Sequence, residues 1–471
     1  QLSGPGNSLV LLAPSDECRL GGSILAQSYR QLGNETPDVD PIKLKDLFEL
    51  TQSLVADDTA LAIHDRSDGG YFVTCLEMAF ASKLGIEMHC QNDWQADLFN
   101  EEIGVVLELR TRDVESVLYT ASRKNLFSRV IGKTTVGDSV VVKNGSDVLL
   151  ERSLARLEEI WNSTSHSMQS LRDNEACIQE ELEDLLVART HLVEKLSYDP
   201  EDDVVAPLLS TGKKPKVAIL RDQGVNGQRE MAAAFMRAGF EAVDVHMTDV
   251  FTGRTQLSDF QVLAACGGFS YGDVLGGGGG WAKSILHNTR VRDEFESFFH
   301  SQVLTLGICN GCQMLSQLTE LIPGAEHWPR FVRNKSDQFE GRTVQTLVSN
   351  ARSPWLEGMS GSIIPVPVAH GEGCAQFNSE ERLAKVQAHR LVAAQYVDQN
   401  GSQMDTYPWN PNGSPAGIAG LISEGGNALI MMPHPERVFR QLQCTWMRPK
   451  DRDREAGAWM RLFRNARKAV G

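Results

Sequence analysis

The run Val303-Leu-Thr-Leu-Gly-Ile-Cys-Asn-Gly-Cys-Gln-Met-Leu315 passes from a strand-like segment into a helix-like one with no loop between them. At the junction lies Gly307-Ile-Cys309-Asn-Gly311, the cysteine form of the G-x-S-x-G nucleophile elbow. Such a turn strains the backbone at its centre, and side chains at Gly307 or Gly311 would collide with the neighbouring strand and helix. It also sets the thiol at a helix N-terminus, where free N–H groups and the helix dipole favour thiolate. The Asn310 N–H is then placed to be half of an oxyanion hole. Two other readings compete. Cys309-Asn-Gly-Cys312 is formally a C-x-x-C, a redox pair or half of a zinc site, but no second C-x-x-C occurs and no cysteine or histidine follows at zinc spacing. A buried structural cysteine is the other.

A second stretch, about 125 residues on, decides between them: Ala428-Leu-Ile-Met-Met-Pro-His434-Pro-Glu436-Arg437. An apolar strand ends here in Pro-His-Pro-Glu. The residue before a proline is pushed out of the α region, so an extended backbone is expected to point His434 and Glu436 to the same side. A carboxylate there holds the imidazole in one tautomer and stabilises its charged form, while the ring serves the thiol as base and then acid. Cysteine, histidine and glutamate, in that chain order and each at a strand end, form a candidate triad.

Gly-Ile-Cys309-Asn-Gly-Cys-Gln313 together with Met-Pro-His434-Pro-Glu436-Arg resembles the class I, triad-type glutamine amidotransferases. More narrowly, Cys309-Asn-Gly-Cys-Gln313, Gly267-Gly-Phe-Ser-Tyr-Gly-Asp273 and His370-Gly-Glu-Gly373 resemble the glutaminase part of the phosphoribosylformylglycinamidine synthases, in their large single-chain form. The resemblance extends over nearly the whole chain. It implies a ligase of de novo purine (IMP) biosynthesis. That enzyme uses ATP and glutamine to convert formylglycinamide ribonucleotide into formylglycinamidine ribonucleotide and glutamate.

Length and composition fit an enzyme of this kind. The 471 residues suffice for about two to four domains. A net charge of −15 argues against nucleic acid or an anionic membrane as the main partner. Nine cysteines without a framework suit a reducing cytosol, no apolar run approaches the ~20 residues of a membrane span, and no signal peptide is visible. The chain opens on Gln1, as if in mid-domain, and is expected to be a C-terminal piece of a longer protein. The full protein is expected to be cytoplasmic and monomeric.

The first domain is expected over residues 1–150. Leu9–Ala13 reads as a strand, Gly21-Gly-Ser23 opens a helix through Leu32, and Pro41–Val55 is a helix with apolar spacing at Leu44, Leu47, Phe48 and Leu54. Then Leu61-Ala-Ile-His64-Asp65-Arg66-Ser67-Asp68-Gly69-Gly70 breaks from a strand into a polar, glycine-ended loop before a helix over Phe72–Ala81. Two acids and a hydroxyl beside Gly-Gly suit a magnesium–nucleotide site, since aspartates give hard oxygen ligands and glycine lets backbone approach phosphate. From the chemistry alone an N-capping Asp/Ser turn is the commoner reading. The loop resembles that closing the second half of a synthetase domain of the aminoimidazole-ribonucleotide-synthetase type, an α+β C-terminal domain. That resemblance implies magnesium at Asp65 and ATP at Ser67, with the other ligands contributed by synthetase domains upstream of Gln1. Leu98-Phe-Asn-Glu-Glu-Ile-Gly104 also fits that domain; its acids read equally as a solvated turn.

Residues 151–214 read as a charged connector, with amphipathic helices over Leu154–Trp161 and Glu175–Leu196 and an acidic linker after them. Over 215–471, short apolar strands alternate with helices, which predicts a doubly wound, flavodoxin-like α/β sheet with ligands at the carboxyl ends of its strands. Lys216–Leu220 and Val262–Cys266 are such strands. The loop after the second, from Gly267, makes the N–H of Gly268 or Phe269 the candidate second oxyanion donor, or is a plain glycine turn. Gln313, one helical turn after Cys309, is a surface glutamine or a ligand of the substrate's α-groups. The resemblance favours the second, and places His370 and Gly371 beside the glutamine pocket. The run Gly276–Gly280 departs from the family, which usually carries a side chain there, and is expected to loosen its loop. Trp459–Ala469 is a last basic helix.

The resemblance implies that Cys309 attacks the glutamine amide, His434 protonates the departing ammonia, and water clears a glutamyl thioester. Ammonia then passes inside the protein to an acceptor activated by ATP. A regulatory module with a dead synthetase half would have no use for the intact cysteine, histidine and glutamate. A γ-glutamyl hydrolase or DJ-1-like hydrolase leaves the first domain unexplained.

Overall fold

The computed structural model describes residues 1–33, 35–91, 93–185, 187, 192–349 and 352–471. It divides into two compact units, Gln1–Gln169 with Leu182–His191, and Ser170–Glu181 with Leu192–Gly471.

In the first unit, strands β1 Ser8–Ala13, β2 Ala60–Asp65, β3 Gly85–Cys90, β4 Val105–Leu109, β5 Phe127–Thr135, β6 Ser139–Asn144 and β7 Asp147–Ser153 form one sheet in the order β2-β4-β1-β5-β3-β6-β7. Only β3 and β6 run parallel. Side chains alternate across the sheet, and β1 is buried on both faces. Leu9 and Leu11 pack with Val106 against the helix Gly70–Phe80. Val10 and Leu12 meet Leu47, Leu50 and Leu54 of the helix Pro41–Ala56. On that helix the expected apolar stripe is only half used, since Leu44 and Phe48 are exposed. The helix expected to reach Leu32 stops at Ser28. Arg30 adopts φ 56°, which no continuing helix tolerates, and Gly22 N–H turns back to Leu32 O at 2.8 Å. The acids after Phe99 are not a solvated turn: Glu102 is buried and pairs with Arg19 at 2.6 Å, and Glu101 accepts from Gly69 N–H at 2.9 Å.

The second unit is built on β8 Lys216–Arg221, β9 Glu241–His246, β10 Val262–Ala265, β11 Leu304–Ile308, β12 Arg330–Val332, β13 Glu340–Val348, β14 Ile363–His370, β15 Cys374–Gln376, β16 Val392–Tyr396, β17 Ile418–Ile422 and β18 Ala428–Met431. Nine of these strands form a sheet in the order β14-β13-β16-β17-β18-β11-β10-β8-β9, and β12 pairs with β15 separately. The segment β18-β11-β10-β8-β9 is parallel throughout, the doubly wound core, and β17, β16, β13 and β14 extend it antiparallel. Every residue of β10, β11 and β18 is buried, as parallel strands covered on both faces require.

The helix expected over Glu175–Leu196 ends at Leu185; residues 186 and 188–191 lie outside the described set. Lys195 instead pairs with Ile363 as an extended residue beside β14. Further on, Asp202 and Asp203 hold Arg461 and Arg464 of the last helix, each at 3.3 Å. Among the described residues, no helix is long and apolar enough to cross a membrane.

Candidate active site

β11 runs straight into the helix Asn310–Leu315, and Cys309 takes the turn with φ 50° and ψ −107°. That is a strained conformation for a residue with a side chain. The glycines beside it permit the turn. A Cβ on Gly307 would lie 2.6 Å from Leu315 Cδ1, and one on Gly311 would lie 2.1 Å from Ala265 O of β10. Cys309 N–H donates to Met431 O of β18 at 2.8 Å. The nucleophile candidate therefore stands at the carboxyl end of the central strand, between β10 and β18. The thiol lies 3.7 Å from Ala369 O. All nine cysteines are free, and burial pushes the Cys312 thiol well above its ordinary range.

His434 follows β18. Its N–H donates to Pro367 O at 2.9 Å, and its Nδ1 lies 2.6 Å from Glu436 Oε1. The expected extended backbone is not what brings these side chains together: Pro435–Arg437 is a 3₁₀ turn, and the carboxylate swings back onto the ring. Both groups are buried, at 1 % and 0 % exposure. Burial alone would strip the proton from the imidazole. The Glu436 carboxylate, then the charge and hydrogen bonding of Cys309, outweigh that pull and hold it up at about 9. His434 Nε2 nonetheless has no aligned hydrogen-bond partner, so its contact with the sulfur is close but loose, as catalytic contacts without substrate often are. Gly267 abuts both groups: a Cβ there would lie 2.8 Å from His434 Cε1 and 3.4 Å from Cys309 Cβ.

Of the two candidate loop donors, Phe269 is excluded, because its N–H is already given to Gly224 O at 2.9 Å. Gly268 remains. Its φ is 153°, and a Cβ on it would lie 2.5 Å from Val225 Cα. Asn226 and Phe269 make the bonds of the Val225–Gly268 bridge, which leaves the Gly268 N–H without a partner among the described residues. Asn310, the first residue of its helix, has an N–H with no acceptor within the helix.

The Asn310 side chain, which sequence reasoning passed over, ties this loop to the elbow. Its Oδ1 accepts from Ser270 N–H at 3.1 Å, and its Nδ2 donates to Asp273 Oδ1 at 3.1 Å and Gln313 Oε1 at 3.0 Å. Gln313 is buried and donates to Glu372 O at 2.6 Å, so it is no surface glutamine. The run Gly276–Gly280 is not loose either. Gly277 N–H donates to Glu372 Oε2 at 2.6 Å, and side chains at Gly277 or Gly278 would lie 2.3 and 2.4 Å from Gln313 and Met314 atoms. Close approach, not flexibility, is what glycine provides here.

His370 closes β14 and is 2 % exposed. Among the described residues neither ring nitrogen has a partner, and burial, helped by the charge of His434, pulls its pKa down to about 3. Asn334, for which the sequence offers no signal, shapes the turn after it. It donates to Gly371 O at 2.9 Å and His370 O at 2.8 Å and accepts from Gly373 N–H at 2.8 Å. No side chain crowds Gly371.

In the first unit, Asp65 ends β2 with an exposed carboxylate that accepts no bond among the described residues. Exposed Ser67 donates to Asp65 O at 3.2 Å. Among the described residues, no three histidine, cysteine or acidic side chains gather to hold a metal. Magnesium usually keeps several waters and is held by one or two carboxylates plus substrate phosphates, and the exposed Asp65 carboxylate is a donor of that kind.

Residues 214–470 match the family described as CobB/CobQ-like glutamine amidotransferase domain, and residues 4–144 match the C-terminal domain of AIR synthase related proteins. The structure of PurLQS from Thermotoga maritima is 25 % identical, covers 55 % of this chain and 100 % of its own, and has a TM-score of 0.42. T. maritima PurL complexed with FGAR is 18 % identical, with 33 % of this chain and 28 % of that chain covered and a TM-score of 0.29. A glutamine amidotransferase from T. maritima is 15 % identical, with 48 % and 77 % covered and a TM-score of 0.30. The chain spans between 25 % and 34 % of the length of the PurL structures it matches.

Proposed function

The chain belongs to the CobB/CobQ-like glutamine amidotransferase family, whose description matches more than half of it, and from that premise we propose that it is the glutaminase-bearing part of a phosphoribosylformylglycinamidine synthase. The observation that carries the reading is the buried His434–Glu436 pair, 2.6 Å apart, beside a strained cysteine at a helix N-terminus. Cys309 adds to the side-chain amide carbon of glutamine. The oxyanion forms at the Asn310 and Gly268 N–H groups, which cost no reorganisation because the backbone already holds them. His434 takes the thiol proton and gives it to the departing nitrogen, while Glu436 holds the ring in one tautomer. Water, deprotonated by His434, then hydrolyses the glutamyl thioester. Gln313 orients the α-groups of glutamine, with His370 and Gly371 bordering the pocket.

Ammonia serves a synthetase centre, partly built by upstream domains of the same polypeptide, where ATP activates the amide oxygen of formylglycinamide ribonucleotide. Asp65 is the residue this chain would offer to magnesium there and Ser67 the one it would offer to ATP; the described residues do not complete a metal site, so no step is derived through it. The whole protein is read as a cytoplasmic monomer. Two measurements test the scheme. Cys309 should be the residue labelled by a glutamine-analogue electrophile. In the full enzyme, Cys309→Ala should abolish glutamine-dependent amidine synthesis and leave ammonia-dependent synthesis intact; loss of both refutes two separate sites.

A further inference from the structure

We propose that His370 receives ammonia as it leaves the glutamyl group, holding it as a neutral molecule beside the nucleophile. This rests on the glutaminase reading above. The strand residue next to His370 already touches the reacting sulfur, with Ala369 O 3.7 Å from Cys309 Sγ. Pro367, on the same strand, accepts from His434 N–H at 2.9 Å, so the strand that ends in His370 borders both the sulfur and the catalytic imidazole. Among the described residues both of its nitrogens are buried without partners, an arrangement that costs free energy unless a small hydrogen-bonding molecule reaches them.

The turn after it closes over the ring. A Cβ on Gly373 would lie 2.4 Å from His370 Cε1, so only glycine lets the backbone pass there. Glu372 fastens the turn twice, through its carbonyl to Gln313 Nε2 and through its carboxylate to Gly277 N–H, each at 2.6 Å. Such a clasp keeps bulk water away from the ring. A glutamine head group, doubly charged, has nothing to gain from a dehydrated neutral imidazole. Ammonia matches it, with N–H groups for the bare ring nitrogen and a lone pair for the ring N–H.

The chemistry requires such a partner to be unprotonated. Cys309 thiolate adds to the amide carbon, the C–N bond breaks with its electron pair going to nitrogen, and that nitrogen takes one proton from His434 Nε2. The products are the glutamyl thioester and NH3. A protonated neighbour would turn NH3 into ammonium and end its use as a nucleophile. His370, kept neutral to about pH 3 by burial, has no proton to give beyond its ring N–H.

The test compares His370→Leu and His370→Asn with the unaltered chain on two substrates, L-glutamine and L-glutamate γ-methyl ester, whose leaving group carries no basic nitrogen. For His370→Leu, kcat on glutamine should fall about tenfold or more beyond any fall in kcat on the ester, with the KM ratio of the two substrates nearly unchanged. His370→Asn, which keeps a donor and an acceptor, should recover most of the loss. A changed KM ratio, an equal loss of kcat on both substrates, or unchanged glutamine turnover overturns the proposal. Labelling of Cys309 by 6-diazo-5-oxo-L-norleucine reports an intact site; if His370→Leu does not label, His370→Asn decides by the same criteria. An unaltered chain that neither labels nor forms glutamate overturns the glutaminase reading itself, and this proposal with it.

Discussion

A buried imidazole ordinarily sheds its proton because burial penalises the charged ring. In His434 that penalty is the largest single influence, yet Glu436 and Cys309 together overcome it and hold the ring protonated to about pH 9. His434 therefore binds its proton more tightly folded than unfolded, where its pKa is about 6.5. The stabilisation this adds is fully present below about pH 6.5 and is lost as pH rises through about 9. Glu436→Gln should bring the ring's NMR titration well below that of the unaltered chain and lower kcat for glutamine by on the order of 10⁴, the scale of triads that lose their carboxylate. A titration that stays put would mean Cys309 alone holds the proton. The pairing of these residues was readable in Pro-His-Pro-Glu. Its cause was not, because proline at the first position of a 3₁₀ turn and proline after an extended residue look alike in sequence.

The elbow and its neighbours act as one element, and they were legible to different degrees. A strand feeding a helix through Gly-x-Cys-x-Gly announces itself locally, and its tightest constraint is at Gly311, where an added Cβ would lie 2.1 Å from Ala265 O. Gly311→Ala should cost about 1–3 kcal/mol in urea unfolding, the usual range for overpacking, and should slow Cys309 labelling. Gly425→Ala, in an exposed turn with only Asn427 Nδ2 at 3.9 Å, should do neither. What the sequence hides is long-range. The Asn310 side chain matters because the Ser270–Asp273 loop returns to it from about 40 residues upstream, and no periodicity encodes that return. Asn310→Ala would leave Ser270 N–H buried without its acceptor, a loss of about 1–3 kcal/mol. It should also lower kcat while the helix N–H remains in place. The glycines at 277 and 278 were misread for the same reason, since their neighbour is Gln313, invisible from within the run.

At the scale of the molecule, each unit carries its own apolar core: one cluster in the second unit and two, on opposite faces of the sheet, in the first. Substitutions that touch no shared partner are expected to act independently, so the proposed synthetase and glutaminase roles can be separated one residue at a time. Alternation of elements made the second unit's parallel core readable. Its antiparallel extension was not, because β13 pairs with β16 across the intervening β14 and β15 of the chain. In the full enzyme, Asp65→Asn should lower ATP-dependent amidine formation about tenfold or more with glutamine and with ammonia alike, since its carboxylate serves the activated acceptor and not the nitrogen donor. Labelling of Cys309 should proceed at the unaltered rate, because Asp65 lies in the other unit. Cys309→Ala reverses the pattern. If Asp65→Asn impaired glutamine-dependent synthesis but spared the ammonia-dependent reaction, Asp65 would belong to nitrogen delivery, and its assignment to the magnesium–nucleotide centre would fall.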